Sequence, residues 1–179
     1  MIEKDALSGV LRPVCQALDI SITANKGYCS SSTMYEVGKR LYSKFEERSE
    51  IMLIYLGDHD PSGIDMSRDI EDRIAMYSGL GPTDFRVVRI ALNFDQVQQW
   101  NPPENPAKQT DSRFKAYVDR FGESSWELDA VQPATLAKLV QDIVIQHRDN
   151  SLWYDAVRRE DQMRAELKQY ADNYKGKKK

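Results

Sequence analysis

Asp58 and Asp60 stand one residue apart in the stretch Gly57-Asp58-His59-Asp60-Pro61-Ser62-Gly63, directly after the apolar run Ile51-Met52-Leu53-Ile54-Tyr55-Leu56. Carboxylates at the carboxyl end of a strand in an open parallel sheet face the edge where ligands bind. Two of them a few ångströms apart repel and cannot easily both stay ionised without a counter-charge. A hard divalent cation supplies one, because magnesium binds through one or two carboxylates together with waters and substrate phosphate oxygens. The same residues also suit a turn and a helix N-cap, where aspartate serves local hydrogen bonding and needs no metal. This stretch alone leaves both readings open.

The start of the chain adds a third carboxylate. Met1-Ile2-Glu3-Lys4-Asp5 reads as the end of a strand. With Ile2 in the sheet, Glu3 emerges at the same edge as Asp58, and carboxylates from two segments converge there.

These features come in a recognisable order: Glu3-Lys4, then the glycine turn Asn25-Lys26-Gly27-Tyr28-Cys29, then Asp58-His59-Asp60-Pro61-Ser62-Gly63-Ile64. The set resembles the Toprim domain of topoisomerases, primases, RecR-type recombination proteins and OLD-type nucleases. It looks most like the A subunit of type VI topoisomerases and the related meiotic break-forming proteins. The resemblance covers residues 1–92. It implies a Toprim-like Rossmannoid α/β fold with a parallel four-stranded sheet flanked by helices. It also implies that Glu3, Asp58 and Asp60 hold Mg2+ (or Mn2+) and carry the catalysis, with Glu3 as a general acid or base beside the scissile phosphate. Lys26 and Gly27, next to a helix N-terminus that attracts anions, would contact that phosphate, although a lysine in such a loop can equally be solvated. The implied activity is metal-dependent cleavage of DNA, nuclease-like or topoisomerase-like. In these topoisomerases the nucleophilic tyrosine lies on a helix-turn-helix domain that precedes Toprim. Nothing precedes Met1 in this sequence, so the expectation is a fragment, or a unit that depends on an upstream or partner DNA-binding domain.

Two other readings compete. One is a non-catalytic Toprim-fold interaction module. The other is a haloacid-dehalogenase-like phosphatase, which also uses an aspartate pair after a strand but wants Thr or Val shortly after it, where Pro61-Ser62-Gly63 stands here. His59 lies between the aspartates and points to the opposite side if the segment is extended, which suits a supporting role better than ligation. Tyr28 has no base or metal of its own to activate it and reads as a packing residue.

Several elements must position these groups. Leu7, Val10, Leu11, Val14 and Leu18 recur at helical spacing over residues 5–18, with Pro13 expected to kink that helix. Ile20 to Ala24 reads as a short β-branched strand. A helix is expected from Thr33, where Thr33 and Glu36 fit a capping box, with Met34, Val37, Leu41 and Phe45 inward. Residues 51–56 lack alternation, as in a strand covered on both faces. A third helix over residues 62–77 buries Met66, Ile70, Ile74 and Tyr77, and residues 85–92 form another strand. Such alternation predicts a parallel sheet with helices on its faces.

Beyond Asn93 the prolines of Trp100-Asn101-Pro102-Pro103-Glu104-Asn105-Pro106 predict an extended loop. Helices follow at 111–121, 134–147 and 151–174. Residues 93–179 are expected to form an α-rich extension packed on the 1–92 domain. Asp111 is a candidate N-cap. Trp126-Glu127-Leu128-Asp129 alternates like an edge strand, with Trp126 and Leu128 inward. Lys108, Arg113, Lys115 and Arg120 are either a basic face or ordinary solvated charges. The terminal Lys175-Gly176-Lys177-Lys178-Lys179 is either a solvated end or a phosphate contact.

Composition narrows the classes. The net charge of −3 exerts no overall pull on nucleic acid, so any such binding must be local or metal-assisted. Only Cys15, Cys29, His59 and His147 could supply sulfur or imidazole ligands, in no zinc-site spacing. The absence of a disulfide framework and of any spanning apolar run points to a cytoplasmic protein with no membrane partner.

Overall fold

The computed structural model describes residues 1–25, 27–47 and 50–174. The apolar run before the aspartates is a strand, β1 (Ile51–Leu56), which pairs in parallel with β2 (Phe85–Ala91) from Ile51 opposite Phe85 to Leu56 opposite Ala91. Two helices precede β1 in the chain. α1 covers Ser8–Ala17, preceded by a single 3-10 turn at Asp5–Leu7, and α2 covers Ser31–Glu47. α3 then spans Pro61–Ser78 and supplies the crossover that a parallel pair requires.

Two more extended segments continue outward from β1. Ile2 bridges Leu56 on one side and Ala24 on the other, both in parallel, with Glu3 N–H donating to Leu56 O at 2.9 Å and Asn25 N–H to Ile2 O at 2.7 Å. The expected mixed α/β class is present as a two-stranded parallel sheet with helices. The segment expected as a strand from Ile20 to Ala24 meets the sheet at Ala24 alone. Its upstream residues turn instead toward the α1 terminus, where Ile20 N–H bonds Cys15 O.

One face of the sheet is packed. Leu53, Tyr55 and Phe85 meet Met34 and Val37 of α2 and Met66, Ile70 and Ile74 of α3, and Leu41 and Phe45 extend the stripe. The other face is less filled than an uninterrupted apolar strand suggests. Met52, Ile54 and Leu56 line a cavity of about 430 Å3 together with Leu11 and Cys15 of α1. Pro13 sits inside α1 without dividing it. The cap of α2 also differs from expectation. The helix begins at Ser31, and Ser30 Oγ, rather than Thr33, accepts a capping bond, from Thr33 N–H at 3.2 Å.

After β2 the chain makes a helix that the prolines concealed. α4 (Phe94–Trp100) starts with Gln96 Oε1 accepting Asn93 N–H at 2.9 Å. A two-residue antiparallel pair follows, β3 (Asn105–Pro106) with β4 (Ser124–Ser125), enclosing α5 (Phe114–Phe121). Asp111 caps the turn before α5, accepting from Arg113 N–H at 2.9 Å, so the residue at the helix N-cap position is Arg113. Trp126 and Leu128 are buried as expected, but only Trp126 is in a β-bridge, because a 3-10 turn takes over at Leu128–Ala130. The last helices are α6 (Pro133–His147) and α7 (Asn150–Asn173).

The chain forms two compact units, Met1–Gln141 and Asp142–Lys179, so residues 93–141 belong with the sheet. Both cysteines are free thiols. Among the described residues no helix is long and apolar enough to cross a membrane. Lys26 and the basic tail 175–179 lie outside the described residues.

Candidate functional site

The short first segment brings Glu3 to the carboxyl ends of β1 and β2. Hydrogen bonds on both flanks of Ile2 fix where Glu3 leaves the sheet, and Glu3 is only 7% exposed. Its Oε2 accepts from Asp58 N–H at 2.8 Å and from Tyr55 O–H at 3.2 Å. Both bonds use the same oxygen, leaving Oε1 outside them. Gly57 makes this approach possible, because a Cβ there would lie 2.4 Å from the Tyr55 hydroxyl and 2.6 Å from Glu3 Oε2.

Asp58 is held from the other side. Its Oδ1 accepts from Leu128 N–H at 2.7 Å, and its Oδ2 lies 3.6 Å from the Lys4 ammonium. Lys4 also pairs with Glu127 and with Asp129, at 3.1 Å from the latter. Lys4 therefore already supplies part of the counter-charge that the carboxylates call for. Asp60 performs the local role the sequence also allowed. It is the N-cap of α3, its Oδ1 accepting from Gly63 N–H and from Ser62 O–H. Here too a single oxygen takes both bonds.

The glycine that follows has a steric reason. A Cβ on Gly63 would sit 2.3 Å from the Asp58 carbonyl oxygen, so α3 can start this close to the aspartate loop only without a side chain. Gly63→Ala is expected to lose about 2 kcal/mol of stability through forced overpacking, read from urea unfolding midpoints. An unchanged midpoint would show that the loop yields freely.

Two residues that sequence reasoning did not connect to the site hold its loop. Arg89, in β2, donates to the carbonyls of Gly57 (2.9 Å), Asp58 (2.6 Å), Gly63 (2.8 Å) and Leu92 (3.2 Å). The available signal was its charge between the apolar residues Val88 and Ile90 in mid-strand, which demands partners if the residue is enclosed. The second is Tyr117 of α5. Its hydroxyl lies 2.8 Å from His59 Nδ1 and bonds the carbonyls of His59 and Ser124, each at 3.0 Å. His59 does point away from the carboxylates. It is 1% exposed, packed among Phe94, Phe121 and Trp126, and bridged in antiparallel fashion to Trp126. It pins the aspartate loop to residues 117–126.

Electrostatics follow from this enclosure. Burial, reinforced by the negative charge of Asp58, pushes the Glu3 carboxyl up to about 7. Burial also raises Asp58, opposed by the Leu128 N–H and by Lys4. Burial, with Arg89 nearby, brings His59 down to about 4. For Lys4, burial works against the charge, but Glu127, Asp58 and Asp129 outweigh it and hold the ammonium above its ordinary range.

Gly27 adopts the left-handed conformation, φ 72°, that a glycine turn uses. Tyr28 is exposed rather than packed inside, and its hydroxyl donates to Asp65 at 2.9 Å. Arg113 is engaged by Asp65 and Asp111, and Arg120 lies over the Phe121 ring, so neither stands as an open basic group.

No protein-family model matches the chain, and neither a curated protein nor a solved structure matches it. The chemistry therefore rests on the donor set itself. Among the described residues no group of three or more His, Cys, Asp or Glu side chains is gathered ready for a metal. The donors at the sheet edge are nonetheless all oxygen. Two sit on adjacent buried carboxyls that burial drives toward protonation, an instability a hard divalent cation relieves. In its donor chemistry the site could hold magnesium, with Glu3 and Asp58 as its centre and the Asp60 Oδ2, outside the capping bonds, as a further oxygen donor.

Proposed function

We propose that this chain is a magnesium-dependent Toprim-type module acting on the phosphodiesters of nucleic acid, in the manner of a nuclease or a topoisomerase-related enzyme. The observation that carries the reading is the bond from Asp58 N–H to the Glu3 carboxylate, which joins two chain segments at the carboxyl edge of parallel strands. In this reading the four extended segments form the Toprim sheet in the spatial order 23–25, 1–3, β1, β2. Glu3 and Asp58 would hold the cation, with Asp60 as a further ligand, and Lys26 and Gly27 would contact phosphate. A bound magnesium supplies charge stabilisation at the phosphoryl oxygens. The chain's own groups do the rest. Glu3 would also act as a general acid or base beside the reacting phosphate. Leu128 N–H orients Asp58, and Arg89 and His59 keep the loop in place. Tyr55 and Tyr117 are committed to buried bonds, and in this reading a tyrosyl covalent route would draw its nucleophile from another domain or partner, as the Toprim resemblance implies. Hydrolysis needs none.

One observation favours a second reading, a non-catalytic interaction module. Lys4 already bridges Asp58, Glu127 and Asp129, and such a closed ion network needs no metal. The phosphatase reading gains no support: the aspartate it needs as acid–base serves as the N-cap of α3 through Oδ1, and no observation favours that chemistry over the other two readings.

Calorimetric titration with magnesium separates the first two. Asp58→Asn is expected to weaken magnesium binding at least roughly tenfold, in line with the loss of a carboxylate from an oxygen site. Supercoiled plasmid should be nicked in magnesium or manganese by the native chain and not by Glu3→Gln. Absence of magnesium binding by the native chain would leave the interaction module standing. Nicking undiminished in Glu3→Gln would remove Glu3 from the chemistry.

A further inference from the structure

The most unusual surface of the molecule is on α7. This helix has 24 residues and not one of them is buried. It nonetheless exposes Met163 (63%), Leu167 (67%), Tyr170 (72%) and, just past its end, Tyr174 (68%). These follow one another at intervals of four, three and four, which is the repeat of a coiled-coil seam. Extended backwards, the same register puts Trp153, Glu160, Leu167 and Tyr174 at the first apolar position of successive heptads. Ala156, Met163 and Tyr170 fall at the second. Six of the seven are apolar. Leu152 and Tyr154 are exposed beside the start of this seam and Trp153 is half-buried, but from Ala156 onward the large exposed apolar side chains all lie on it. A seam of about 32 Å facing solvent is a surface made for a partner helix.

The charges beside the seam identify the occupant. A second copy lying parallel and in register would put Glu160 against Glu160 in the seam and Arg159 against Arg164 on its flank, like charges in both places. Turned antiparallel about a two-fold axis near residues 161–162, the same helix is complementary to itself. Glu160 then meets Met163 of the second copy, Ala156 meets Leu167, and Trp153 meets Tyr170. Arg159 flanks Glu166, and symmetry makes that pair twice. Within each chain Glu160 already accepts from Arg164, which limits the cost of placing a carboxylate at the seam. Arg148 stacks on the Trp153 ring at 4.3 Å and closes that end.

We infer that α7 is a self-association surface and that two copies of this chain pair through it as an antiparallel helix pair. The inference does not rest on the proposed activity. The full chain is expected to show a concentration-dependent monomer–dimer equilibrium in sedimentation velocity. Replacing Met163 and Leu167 together by glutamate should leave only monomer, with the circular dichroism spectrum of the native chain. Arg159→Glu and Glu166→Arg, each alone, should raise the concentration for half-dimerisation roughly tenfold by setting like charges opposite one another. The doubly swapped chain should dimerise as the native one does, and so should an equimolar mixture of the two single variants, since each then faces its opposite charge. A native chain that stays monomeric up to high concentration overturns the inference. So does a dimer untouched by the seam substitutions. Failure of the mixture to dimerise overturns the antiparallel register.

Discussion

Arg89→Met is expected to lower the unfolding free energy by about 3 kcal/mol, the largest effect of any substitution of a side chain that carries no chemistry of its own here. Methionine keeps most of the aliphatic stem but none of the donors, so the carbonyls of Gly57, Asp58, Gly63 and Leu92 lose the guanidinium together, while Gly57 O keeps another donor, Leu92 N–H at 2.7 Å. An enclosed carbonyl without a donor costs about 1–3 kcal/mol, and bonds from a charged donor are the stronger kind. The guanidinium also lies 5.4 Å over the Tyr55 ring, a contact that goes with it. The same strand provides a control. Arg86 is about half exposed and pairs with Glu50, so Arg86→Met should cost no more than about 1 kcal/mol. Urea denaturation of the two variants side by side decides the matter. If Arg89→Met matches Arg86→Met, the loop is held by its own backbone and Arg89 only lies against it. If the larger loss appears, magnesium affinity should fall with it, because the Asp58 carbonyl is one of the four anchors.

Glu3→Gln should make this protein more stable at pH 8 than the native chain, by up to about 3 kcal/mol. The sign follows from proton counting. The Glu3 carboxyl titrates near 7 in the folded chain and near 4.5 when unfolded. Between those values the folded state keeps a proton that the unfolded state has released. The stability it provides is complete below about pH 4.5 and is lost as pH rises through 7. Glutamine reproduces the uncharged form, and its oxygen can still accept from Asp58 N–H and Tyr55 O–H. His59 works in the opposite direction. It titrates near 4 when folded against 6.5 when unfolded, so its contribution is complete above pH 6.5 and is lost as pH falls toward 4. In the native chain the two trends oppose each other between pH 4.5 and 6.5, and the stability profile there should be shallow. Removing the Glu3 side of the balance should uncover a rise in stability over that interval, moderated by Asp58, whose raised pKa acts with Glu3. Unfolding midpoints at pH 4.5, 6.5 and 8 measure this. A difference between variant and native chain that stays constant across the three would mean that Glu3 ionises as freely when folded as when unfolded. The balance also bears on function, since a divalent cation beside Glu3 and Asp58 should restore native stability at pH 8 and do less for Glu3→Gln.

Local pattern carried most of the element list and the edge at which chemistry is placed. The run at 51–56 reads as a strand covered on both faces; the structure has the strand at Ile51–Leu56, with Met52, Ile54 and Leu56 lining a cavity on one side. The stripe Met66, Ile70, Ile74 named the buried face of α3, since a period of 3.6 requires those residues to share a side. Ile2 followed by Glu3 was enough to bring a carboxylate beside Asp58, because adjacent parallel segments end at the same edge. Local pattern misled where a strong signal masked a weaker one, as when Pro102 and Pro103 hid the short helix at Phe94–Trp100.

Tertiary structure alone decided the rest, for one physical reason: the deciding contacts join residues far apart in the chain, and periodicity reports only on near neighbours. Asp60 could cap or coordinate, and the position of α3 settled that its Oδ1 caps. His59 became a clasp because α5 and Trp126 fold back over it, 58 and 67 positions later. Lys4 became a counter-charge because Glu127 and Asp129 arrive beside it. Arg89 looked like a charge out of place in a strand until four carbonyls from three segments converged on it, a requirement that exists only once the loop, the helix start and the strand end are packed together.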